Sequence, residues 1–136
     1  MRPPASRNPG RAGQSLVEFA MAATIFFTLL FGGMNVAYGV YCYHTISYAA
    51  RDAVRWAIVR GPTSPYPATS AQVAQVAIRS AVGVQLTTSN VTVTWPDDAS
   101  VALQKDAKVT ISYPYRLMLS PGTVNLVSTS QMLVSQ

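Results

Sequence analysis

Charge is scarce in this chain of 136 residues: 11% are Asp, Glu, Lys or Arg, against 49% hydrophobic, a balance unsuited to an ordinary soluble surface. The single cysteine, Cys42, excludes an intrachain disulfide, so any folded domain must stand on packing alone. It reads as a small apolar side chain rather than an interchain bridge. The single histidine, His44, supplies no metal site. Ser/His/Asp sets, Cys/His pairs and glycine-rich phosphate loops are missing in usable form, so the chain is not expected to be an enzyme, to use a cofactor or to take a small-molecule substrate. Asp97-Asp98 reads as a solvated turn rather than a calcium site. Nor do the ten basic residues build a nucleic-acid surface. Arg2, Arg7 and Arg11 all precede the first apolar run, and the remaining seven bases against five acids leave only +2 of the net +5.

What the chain has is one long apolar run. No charged residue occurs between Phe19 and Tyr43, which exceeds the roughly 20 residues that cross a hydrocarbon core about 30 Å thick. The run is expected to be a transmembrane helix. The leading arginines then place the N-terminus in the cytoplasm and the rest outside, by the positive-inside rule. His44 and the aromatics Tyr38, Tyr41, Tyr43 and Tyr48 read as an interfacial belt at its outer end.

Three segments follow. Residues 1–13 hold three prolines and two glycines and form a basic leader, expected to lack structure on its own. Residues 14–61 form one long helix, opened by Ser15 and Glu18 in capping-box spacing and stopped by Gly61-Pro62 behind Arg60. Gly32-Gly33 is a place where that helix can kink. Beyond Tyr43 it turns amphipathic, with Ile46, Ala50, Ala53, Val54, Ala57 and Ile58 on one face and Arg51, Asp52, Arg55 and Arg60 elsewhere, so it needs something to pack on. Residues 62–136 form a small extracytoplasmic α+β domain. After the turn-rich PTSPYP, Thr69 and Gln72 open a second helix closed by Gly83, with Val73, Val76, Ala77, Ser80 and Ala81 on one side. Alternation at Val91, Val93 and Trp95, then at Val109, Ile111 and Tyr113, predicts two strands, and a third from Val124 to about Val134 completes an antiparallel sheet covered on one side by the helices. Pro114 is expected to end or bend the second strand.

The most specific stretch is Gly13-Gln14-Ser15-Leu16-Val17-Glu18-Phe19. A carboxylate at the edge of an apolar run is costly in lipid and calls for a named partner. Cutting after Gly13 supplies one: the new α-amino group of Gln14 carries a positive charge close to Glu18, in the same chain or a neighbour. Along the run, Ala20, Thr24, Thr28 and Gly32, with Gly33 beside them, give small residues at helical spacing that let another helix approach closely. Arg51 and Arg55, one turn apart, offer a surface for an acidic partner or a solvated face.

This constellation resembles the type IV pilins and pseudopilins. Glu18-Phe19 is similar to the Tad (Flp) branch, and Ala49-Ala50-Arg51-Asp52-Ala53-Val54-Arg55-Trp56-Ala57 is similar to the segment that follows the membrane helix in TadE-like proteins. The resemblance covers about residues 10–61. It implies a non-catalytic minor pilin or pseudopilin of the Tad/Flp type IVb pilus system. It further implies cutting after Gly13 by a prepilin peptidase, partnership with other Tad-system pilins and pseudopilins and an inner-membrane assembly platform, and a single-pass place in the bacterial inner membrane, N-in and C-out, or in the pilus at the cell surface. Gln14 is bulkier than the small residue often found after the cut. Two other readings fit the same residues: a single-span envelope assembly factor that keeps its leader, and a secreted binding domain cleaved after Gly39.

Overall fold

The structure is a computed structural model and describes residues 9–61, 64–96, 106–117 and 121–134, with side chains from Gly13 onward. Residues 1–8 of the leader and Asp97-Asp98 lie outside the described residues. The fold is α+β: a long helix α1 (Pro9–Val59), a second helix α2 (Ser70–Ser80), a 3₁₀ turn (Thr88–Asn90) and strands β1 (Val91–Thr94), β2 (Asp106–Arg116) and β3 (Thr123–Leu133). The sheet is an antiparallel meander in the order β1-β2-β3.

Helix α1 begins earlier than its composition suggests. It includes Pro9, Gly10 and Gly13, because a proline in the first helical position already has the right φ and its missing N–H would find no partner there anyway. Ser15 and Glu18 therefore lie inside the helix and do not cap it. The helix passes through Gly32-Gly33 without a break and stops at Val59, with Arg60 in a turn. Its 51 residues give a length of about 76 Å at about 1.5 Å per residue.

The core forms against the second half of α1. Ile46, Ala49, Ala50, Ala53, Val54 and Ala57 are fully buried, with Val73, Ala74 and Ala77 of α2 and Ala107, Val109 and Ile111 of β2. Alanines dominate the α1 face, so α2 and the sheet approach the helix closely while the valines and isoleucines supply the volume. Cys42 is fully buried in this cluster, as a small apolar residue. The α1–α2 contact is also bridged by a hydrogen bond from the Ser80 hydroxyl to the Asp52 carboxylate.

Helix α2 opens on a complete capping box: the Thr69 hydroxyl accepts from the Gln72 N–H at 3.3 Å, and the Gln72 side chain accepts from the Thr69 N–H at 3.1 Å. It ends at Ser80, and the chain reverses through Gly83 at φ 78°, a left-handed conformation that favours glycine.

Pro114 neither ends nor visibly breaks β2, which continues to Arg116. The carbonyl of Ser112 accepts from Asn90 Nδ2 at 2.9 Å, so Ser112 presents its backbone to the side where β1 lies. Pro114, two residues on, faces the same way, and β1 pairs with β2 only as far as Ile111. The missing N–H thus costs no ladder bond.

Two contacts fix the sheet along α1. Val134, after β3, packs on Gly61: a Cβ added to that glycine would meet Val134 Cγ1 at 2.7 Å. At the other end of β2, Tyr115 lies over Gly39, where an added Cβ would meet its Cε1 at 3.3 Å. Strand β2 therefore runs along α1 from near Gly61 back toward Gly39.

Candidate functional site: the uncovered half of the long helix

Tyr115 marks where the domain ends on α1. Its ring leans on Tyr38, with centroids 6.0 Å apart, and its hydroxyl donates to the Asn35 carbonyl at 2.8 Å, with the Asn35 side-chain oxygen also in reach. Asn35 is 5% exposed, the one buried polar residue among the described residues. Burial pushes the Tyr115 hydroxyl above its ordinary phenolic range, reinforced by Cys42 and Tyr113 nearby.

On the N-terminal side of Asn35 the helix has no cover. Leu16, Val17, Phe19, Met21, Ile25, Phe26, Leu29 and Met34 are all exposed. The 21 residues from Gln14 through Met34 measure about 31 Å at about 1.5 Å per residue, close to the thickness of a hydrocarbon core, about 30 Å. This helix is long and apolar enough to cross a membrane.

The sequence placed the outer end of the run near Tyr43, and the structure moves it to Asn35. From there on, the domain covers one face of the helix. Tyr38, Tyr41, Tyr43 and Tyr48 all keep exposed rings. Tyr41 donates to the Val82 carbonyl at 2.9 Å and Tyr38 stacks on Tyr41, so both hold the domain to the helix, whereas Tyr48 stands exposed farther up. The cue for this junction was Asn35 itself, a carboxamide in an apolar run, which needs a partner when it leaves water.

Glu18 sits within the first turns of the uncovered stretch, and its carboxylate accepts from Gln14 Nε2 at 3.1 Å. Residues 14 and 18 thus share one face of the helix, and Phe19 projects beside them, 72% exposed. Thr24 and Thr28 donate their hydroxyls to the carbonyls of Ala20 and Thr24, each at 2.8 Å. Both are thereby satisfied within their own helix and present a small, apolar outline. Gly13, Gly32 and Gly33 have nothing within 4 Å of an added Cβ, so no contact among the described residues requires glycine there.

Arg51 and Arg55 are exposed, beside a shallow depression shared with Tyr48 and Asp52. Arg51 Nε donates to the Ser47 carbonyl at 3.1 Å. Arg60 instead lies over the Trp56 ring, 4.5 Å from its centre. Among the described residues, no group of three or more His, Cys, Asp or Glu comes together as a metal site.

Residues 13–55 match the model of the TadE-like protein family, so this part of the chain is similar to TadE-like proteins. The match takes in Gly13, Glu18 and Arg51-to-Arg55 and leaves α2 and the sheet outside it. No curated protein and no solved structure matches the chain.

Proposed function

We propose that this chain is a non-catalytic minor pilin or pseudopilin of the Tad/Flp system, held N-in and C-out in the bacterial inner membrane by residues 14–34, cut after Gly13 by a prepilin peptidase, and assembled through the bare half of α1 with other Tad-system pilins and pseudopilins at the inner-membrane platform. The observation that carries this reading is the bare apolar stretch itself: it begins at the Gly13-to-Phe19 motif and ends where Tyr115 grips Asn35.

Hydrolysis of the Gly13–Gln14 amide adds water across one bond, leaving a carboxylate on Gly13 and an α-ammonium on Gln14. That amine, with an ordinary pKa of about 7.7–8.0, carries positive charge on the same helical face as Glu18. A carboxylate and an ammonium that pair in a bundle of helices cancel much of each other's cost of leaving water. In the uncut chain the scissile bond lies inside α1. Gly10 and Gly13 lower the cost of unwinding that turn, by about 1 kcal/mol each relative to alanine, which suits a peptidase that must draw out an extended strand.

Ala20, Thr24, Thr28, Gly32 and Gly33 then serve as the packing surface between helices, and Arg51 and Arg55 as a surface for an acidic partner. The test is Glu18→Ala in cells that make the pilus. The variant is expected to insert in the membrane in normal amount and to lose pilus assembly by at least tenfold, a change of about 1.4 kcal/mol. Normal pili in that strain would overturn the role of Glu18.

A further inference from the structure

The end of the domain nearest Asn35 brings a cation and exposed apolar side chains to the point where the cover of α1 stops. Strand β2 runs toward the bare half of α1, and Tyr115 packs near Gly39 and Cys42 while its hydroxyl reaches down to Asn35. The next two residues, Arg116 and Leu117, advance about 7 Å in the same direction at about 3.4 Å per residue, which brings them level with Asn35. There the chain returns: Leu117 N–H donates to the Gly122 carbonyl at 3.3 Å, and Thr123 pairs with Arg116. Arg116, Leu117, Pro121, Gly122 and Thr123 line a shallow pocket of about 260 Å³.

Several described groups around this end are exposed and apolar. Val124, opposite Tyr115 in the sheet, and Tyr38 are each about half exposed. Val82, whose carbonyl takes the Tyr41 hydroxyl, is 73% exposed on the α2 side of the same end. Arg116 supplies positive charge there. The described carboxylates of the domain lie elsewhere, Asp52 higher on α1 and Asp106 at the far end of β2.

We propose that this end of the domain rests on the phospholipid headgroup layer where α1 leaves the bilayer, with Arg116 facing the phosphates and Val124 and Val82 turned into the interface. The inference rests on the reading of residues 14–34 as the span. If Met34 is the last residue in the hydrocarbon core, Arg116 and Leu117 stand at headgroup level without any change in the fold. A cation flanked by apolar groups is the composition that layer accepts. The domain is then a second point of attachment that fixes the tilt and rotation of the helix before assembly, and it must lift away from lipid when the subunit leaves the membrane.

The test uses the full chain reconstituted at low density in vesicles of phosphatidylethanolamine and phosphatidylglycerol whose acyl chains are brominated near the headgroups or, in a second set that reads the span, near the chain ends. A tryptophan is placed at Thr123, at Ile25 within the span, or at Tyr66 at the opposite end of the domain, and emission is read against the parent chain. Thr123→Trp is expected to shift to the blue and to lose at least half its added emission, and Tyr66→Trp to lose almost none. Arg116→Glu is expected to reduce the quenching at Thr123→Trp. Quenching at Ile25→Trp with none at Thr123→Trp would overturn the inference and leave the span intact. No quenching at Ile25→Trp would overturn the span and the inference together.

Discussion

The hydroxyl of Tyr115 donates to the carbonyl of Asn35 across 80 positions of sequence, and this bond sets the border between the covered and bare halves of α1. Tyr115→Phe removes it from a buried site, where a lost partner costs more than a lost bond in water. The melting temperature is expected to fall by about 5 °C, read by circular dichroism in detergent. Because the Tyr115 hydroxyl titrates above the ordinary value of 10.0, its contribution is complete below that pH and is lost as pH rises through the raised folded value. The parent should therefore lose stability in strong alkali more steeply than Tyr115→Phe.

At the other end of the domain, Gly61 leaves no room for a methyl beneath Val134. Gly61→Ala is expected to destabilise the domain by about 1–3 kcal/mol through overpacking. Val134→Ala in the same chain should recover part of that loss, and the shortfall from additivity in denaturant titrations measures the contact.

Thr69→Ala strips the capping box from α2 and should cost about 1 kcal/mol. Thr69→Ser should restore most of it, as measured by urea unfolding. Neither change touches the bare half of α1, so membrane insertion is expected to be unaffected by both.

The contrast among these three sites explains what could be read in advance. The α2 cap was legible because its partners lie three residues apart, and the strands because alternation at Val109 and Ile111 reports burial directly. The core face of α1 was legible from its period, with Cys42 and Ala49 the fully buried members outside the face read from sequence. The start of α1 was not legible from glycine and proline content, because Pro9 stands in the first helical position, where a proline is accommodated. The expectation that Pro114 ends or bends β2 fails because a proline's harm depends on whether a neighbouring strand is present, and β1 has stopped there. The border at Asn35 depends on a tyrosine 80 positions away, and no local pattern encodes such a pairing. For the motif at Gly13 to Phe19 the structure adds that residues 14 and 18 share a face.

Gly33 has open space around it, so Gly33→Leu should leave the domain's melting temperature within about 1 °C of the parent. The same change blocks close approach of a second helix. Cross-linking between helices in native membranes is expected to drop severalfold, and unchanged cross-linking would remove the small-residue face from the account.

The claim on which the rest depends is the cut between Gly13 and Gln14. The most direct measurement is the intact mass and N-terminal peptide of the protein recovered from membranes of cells carrying the prepilin peptidase. A mature chain that begins at Gln14, and a full-length chain when the peptidase is absent, is the predicted result. A chain beginning at Met1 in the presence of active peptidase, or one beginning at Val40, would contradict it.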